Sequence, residues 1–110
     1  IRNFRGYDHC FAVDGYEKNI LKEVGQLRCK ATGRKVTVLS SQPAAVLYTG
    51  NWLSGGCPKT KSDKYYQDYA GVAIECQGFS DAVNHPDFPS IYLKADELYC
   101  NKIVFKLEQF

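Results

Sequence analysis

The chain has 110 residues, with 14 Lys and Arg against 12 Asp and Glu, a formal charge of +2, and a content 45% hydrophobic and 24% charged. These are the proportions of an ordinary globular protein rather than a disordered one. The basic residues stand singly or in pairs with no basic block, which speaks against nucleic acid as a partner, and no apolar run approaches the length that spans a membrane.

The length fits one domain over residues 1–110. The chain opens on Ile1 in strand-like sequence with no charged and apolar leader, and the expectation is a piece of something longer. Cysteines stand at 10, 29, 57, 76 and 100, an odd number at wide, irregular spacing with no Cys-x-x-Cys pair. That pattern indicates neither a zinc cluster nor a disulfide framework. Reduced, mostly buried thiols of a cytoplasmic protein are expected.

In chain order, Gly6 to Val13 alternates as a strand, with Tyr7, His9, Phe11 and Val13 on one face and Asp8, Cys10 and Ala12 on the other. Asp14-Gly15 signals a turn. Leu21 to Ala31 reads as a strand with a weak point at Gly25, and Thr32-Gly33 closes a hairpin into Arg34 to Gln42. In that second strand Val36, Val38, Ser40 and Gln42 share a side. Pro43 separates it from Ala44 to Asn51, a short strand ending at a Gly50-Asn51 corner, where glycine allows a positive φ or a close backbone approach. Ser54 to Gln67, rich in Gly, Lys, Ser and Tyr, is the longest loop; its Gly55-Gly56 stands alone and is no phosphate-cradling motif.

Asp68 to Gln77 reads as a buried strand with one carboxylate in it. Val72, Ile74 and Cys76 take one face, while Gly71, Ala73, Glu75 and Gln77 take the other. Small side chains around Glu75 leave open volume above the strand, and an acid in such a run needs a partner or a task. A partly desolvating pocket would raise its pKa and strengthen it as a base. Pro86 and Pro89 hold the following loop extended and discourage helix. Ile91 to Leu93 is expected as a short strand and Asn101 to Gln109 as the last one, with Ile103, Phe105 and Leu107 alternating with Val104, Lys106 and Glu108. No stretch sustains a helical period. The fold class is all-β, an antiparallel sandwich.

Four motifs in this order carry a resemblance: Gly6-Tyr-Asp-His9, Ser41-Gln42-Pro43, Tyr48-Thr-Gly-Asn51, and Glu75 followed by Asp81-Ala-Val-Asn-His-Pro-Asp-Phe-Pro-Ser90. Together the set resembles the C-terminal part of the aldose 1-epimerase (galactose mutarotase) family, over nearly the whole chain. The resemblance implies part of a large β-sandwich with an open cleft, lacking its N-terminal side. It implies an enzyme that interconverts the α and β anomers of galactose or glucose without metal or cofactor. Glu75 matches the family's general base, Asp8 the acid that holds sugar hydroxyls, and Gln42 a polar residue of the cleft. Asn51 and Trp52 match a motif near the site, with Trp52 where family members commonly have Phe. The catalytic His, with the substrate-binding Arg and second His, lies upstream of the matched region. The remaining part of the sandwich would therefore complete the site, and this chain alone is expected to be inactive.

On the residues alone, other readings stay open. Glu75 fits a strand-end carboxylate in a salt bridge, and Asp8 an edge acid capping backbone amides. Gln42 would satisfy backbone at a strand end. His9, alternating with Tyr7 and Phe11, reads as a hydrogen-bonded, half-buried structural histidine, and His85 as an orienting residue of a Pro-flanked loop. Trp52 could stack on a sugar face or simply pack. A sugar-binding β-module with no chemistry is the alternative function. A hexose-6-phosphate epimerase is disfavoured because Arg2, Arg5, Arg28 and Arg34 are dispersed rather than clustered for phosphate.

Overall fold

The computed structural model describes residues 5–54 and 59–110; Arg2, the Gly55-Gly56 pair and Cys57 lie outside the described residues. Among the described residues there are six strands, β1 (Asp8–Ala12), β2 (Lys22–Cys29), β3 (Arg34–Ser40), β4 (Ala44–Tyr48), β5 (Ala73–Gln77) and β6 (Ile103–Gln109), with a short 3-10 helix at Ala82–Asn84. They form two three-stranded sheets, in the orders β1-β4-β5 and β2-β3-β6. The fold is all-β, as the alternation of apolar and polar residues implies. The chain falls into two compact units, one of Ile1–Phe11 with Val46–Glu75 and the other of Ala12–Ala45 with Cys76–Phe110.

In the second unit, β2 and β3 make the hairpin that Thr32-Gly33 signals, with Cys29 opposite Arg34 and the Thr32 N–H donating to the Cys29 carbonyl at 3.2 Å. The register slips between Glu23 and Gly25, so the weak point read at Gly25 is a bulge. β6 adds antiparallel on the far side of β3, with Lys35 opposite Glu108 and Val38 opposite Phe105. Lys35 and Thr37 both hold Glu108, at 3.0 and 3.1 Å. The hydrogen bond from Lys35 leads in holding that carboxyl below its ordinary pKa. Val38 and Ser40 are almost wholly buried, and Ser41 clips the start of β6 through two bonds to Lys102.

The first unit is organised around a polar knot. The Tyr7 carbonyl accepts from the Thr49 N–H at 3.1 Å and from Asn51 Nδ2 at 2.8 Å, while Thr49 Oγ1 accepts from the Tyr7 N–H and donates to Asn51 Oδ1. Asn51 is completely buried. The corner beside it needs glycine twice over. Gly50 has φ +68, and a Cβ there would lie 2.8 Å from the Gly71 carbonyl oxygen. Both expected reasons for a glycine therefore hold at once.

Three local expectations change. The Glu75 strand begins at Ala73 rather than Asp68, because Tyr69 turns back with φ +63 and donates its N–H to the Gly50 carbonyl at 2.8 Å. Ile91 to Leu93 is not a strand. The Ser90 hydroxyl takes the Tyr92 N–H at 3.2 Å, an instance of a hydroxyl competing for backbone. In the Pro-flanked loop, the 3-10 helix runs until His85 is forced extended ahead of Pro86. The cysteines also differ from expectation. Cys10, Cys29 and Cys100 are exposed, Cys76 is buried, and all four are free.

Candidate active site

Glu75 sits in the middle of β5, between the half-buried Ile74 and the buried Cys76. The alternation is as read, with Cys76 turned inward and Glu75 outward. The carboxylate is nevertheless exposed, so the buried strand is corrected to a half-buried one with only Cys76 fully inside. Asp8 opens β1 and is exposed as well. Among the described residues, neither carboxylate has an ion pair or a side-chain hydrogen bond. The salt-bridge alternative for Glu75 thus finds no partner there. β1 and β5 are the outer strands of one sheet, on either side of β4.

Beside Asp8, His9 is half-buried, accepts the Asp8 N–H at Nδ1 (2.9 Å) and meets the Tyr7 ring edge-on. That is the structural histidine expected from the alternation. His85 is likewise tied into its loop, 3.4 Å from Asp81 and against the Phe88 ring.

Asn51 and Trp52 are adjacent but differently disposed. Asn51 spends its amide inside the knot, whereas Trp52 is 60% exposed. The Arg5 guanidinium covers the indole ring at 4.2 Å from its centroid. Arg5 is held in turn by Asp68 at 3.1 Å, and Asp68 accepts the Ser54 N–H and hydroxyl, both at 2.8 Å. The Ser54 backbone bond, then its hydroxyl, and also the Arg5 charge keep the Asp68 carboxyl below its ordinary pKa. Neither Arg5 nor Asp68 stood out in the sequence. Their partners are 63 and 14 residues away, and no local pattern announces them.

Gln42 belongs to the second unit, where its own N–H donates to Ser40 Oγ at 3.1 Å. It lines a hollow of about 890 Å³ together with Tyr16, Gln77, Phe79, Ser90 and Tyr99. Pro43, Ile91, Leu93 and Leu98 line it as well, so the hollow mixes polar and apolar surface. The described residues contain no helix long and apolar enough to cross a membrane.

The family model described as Aldose 1-epimerase matches residues 1–106. The galactose mutarotases of Rattus norvegicus and Homo sapiens are each 36% identical, over 104 and 105 residues, covering 94% of this chain and 30% of each relative. The aldose 1-epimerase of Haemophilus influenzae is 36% identical over 84 residues, covering 76% of this chain and 23% of that protein. The chain thus spans about 30% of the length of the mammalian relatives it matches. The four motifs, the all-β architecture and these matches agree, and the chain belongs to the aldose 1-epimerase family.

Proposed function

We propose that this chain carries the base side of an aldose 1-epimerase site acting on galactose or glucose. Glu75 takes the proton from the C1 hydroxyl while a proton donor protonates the ring oxygen. The C1–O5 bond breaks, the resulting aldehyde turns about C1–C2, and O5 re-adds to the opposite face as the proton returns. In the first unit Asp8 holds sugar hydroxyls and Asn51 fixes the corner that carries Trp52; Gln42, in the second unit, keeps the sugar-binding role that its motif implies. The proton donor, a His in the family pattern, comes from the part of the family fold beyond these 110 residues. The observation that carries the reading is Glu75 itself, outward on β5, accessible and with no ion-pair partner among the described residues. The odd number and irregular spacing of the five cysteines support a cytoplasmic setting.

Polarimetry of freshly dissolved α-galactose tests this. The chain alone should leave the rate at that of buffer, and a faster rate would overturn the division of the site. In a protein that joins this chain to the remaining length of the family fold, Glu75→Gln should lower the rate by about 10²–10⁴-fold while sugar binding persists. Equal rates for that variant and its parent would remove Glu75 from the chemistry. Sugar binding without turnover in the joined protein, indifferent to Glu75→Gln, would instead identify a non-catalytic carbohydrate module.

A further inference from the structure

The knot around Tyr7 does more than close a corner, because of which peptide it holds. The Tyr7 C=O and the Asp8 N–H belong to the same planar peptide unit. Its oxygen accepts from the Thr49 N–H at 3.1 Å and from Asn51 Nδ2 at 2.8 Å, and its N–H donates to His9 Nδ1 at 2.9 Å. One residue earlier, the Tyr7 N–H is taken by Thr49 Oγ1 at 3.0 Å. The close approach also needs Gly6, where a Cβ would collide with Asn51 Oδ1 and Thr49 Oγ1.

The backbone is therefore fixed right up to the Asp8 Cα, and only χ1 and χ2 remain beyond it. The Asp8 side chain is exposed, and among the described residues no amide or cation holds its carboxylate. A firmly held backbone beneath a side chain with no protein partner leaves little ordering for a ligand to impose. Gly6, Tyr7 and His9 from one motif, with Thr49 and Asn51 from another, thus converge on one carboxylate. Tyr7 and Asn51 are 44 residues apart in the chain.

We propose that Thr49, Asn51 and His9 are positioning residues for sugar binding, acting through Asp8. They hold the Tyr7–Asp8 peptide so that the carboxylate meets the sugar hydroxyls already aimed. This rests on the reading of Asp8 as the acid that holds those hydroxyls. A carboxylate that binds the sugar alike before and during ring opening contributes to affinity rather than to turnover. Loosening its peptide therefore raises KM and leaves kcat in place, the reverse of what loss of Glu75 does.

Galactose kinetics by polarimetry, on the protein that joins this chain to the remaining length of the family fold, decide this. Thr49→Val matches Thr in shape but lacks its hydroxyl. It should raise KM about tenfold with kcat within about twofold, while Thr49→Ser, which keeps the hydroxyl, stays near the parent. His9→Phe keeps a ring and removes the acceptor of the Asp8 N–H. It should move KM in the same direction, and it carries the test where Thr49→Val fails to fold. In an Asp8→Asn background neither change should raise KM further. If Asp8→Asn raises KM while Thr49→Val and His9→Phe leave it alone, the positioning role is overturned and Asp8 stays a sugar ligand. A fall in kcat at constant KM, a Thr49→Ser variant as impaired as Thr49→Val, or effects that persist in full beside Asp8→Asn would also overturn it. Asp8→Asn with no effect on KM would instead remove Asp8 from sugar binding, and the positioning role with it.

Discussion

The Tyr7–Thr49–Asn51 knot and strand β6 invert the usual arrangement in opposite ways. In the first unit a side-chain amide is completely buried, and every hydrogen-bonding group around it is matched. In the second unit a strand rich in Ile, Val, Phe and Leu stands open along its whole length. Where polar groups are inside, order depends on each bond being made, since an orphaned buried donor or acceptor carries its full desolvation cost. Where apolar groups are outside, removing one changes little in the isolated chain, because it was not yet taken from water.

The sharpest way to break this contrast is at Gly50. Gly50→Val adds a β-branched side chain at φ +68 against a carbonyl oxygen that is backbone and cannot swing away. Its urea midpoint should fall by the equivalent of more than about 2 kcal/mol. Asn51→Leu comes next, costing about 1–3 kcal/mol by leaving the Tyr7 carbonyl and Thr49 hydroxyl short of a partner. A neutral result would mean the knot is incidental to stability.

Acid titration gives a smaller effect with a definite sign. Asp68 and Glu108 both have carboxyls held below their ordinary values in the folded chain. Their contribution is complete above the unfolded carboxylate range, about pH 4, and is lost as pH falls through the lower folded values. Asp68→Asn and Glu108→Gln should each flatten the acid limb of stability against pH, and an unchanged limb would contradict the assignment. Leu107→Thr should be the mildest, within about 0.5 kcal/mol. A large loss there would show that β6 is covered in a way its exposure does not suggest.

What could be read in advance follows the range of the interactions. The hairpin at Thr32-Gly33, the break at Gly25, the Gly50 corner and the strand that ends at Gln109 are set by neighbours a few residues apart, and they stand where the sequence puts them. The outward turn of Glu75 was equally legible, since a period of two assigns faces without further information. Its burial was not, because accessibility depends on what lies above the strand. The Ser54–Asp68–Arg5 chain and the interior position of Asn51 join segments 14 to 63 residues apart. Nothing in Ile91-Tyr-Leu93 reveals that the Ser90 hydroxyl captures the next free amide.

Arg5 over Trp52 has a practical corollary. The chain has a single tryptophan, and its indole lies in the first unit beneath a guanidinium. Its emission is a built-in optical probe of that half of the chain alone. Fluorescence unfolding curves should report the loss of the corner, whereas far-ultraviolet circular dichroism follows all six strands, so any gap between the two transitions measures how independently the halves melt.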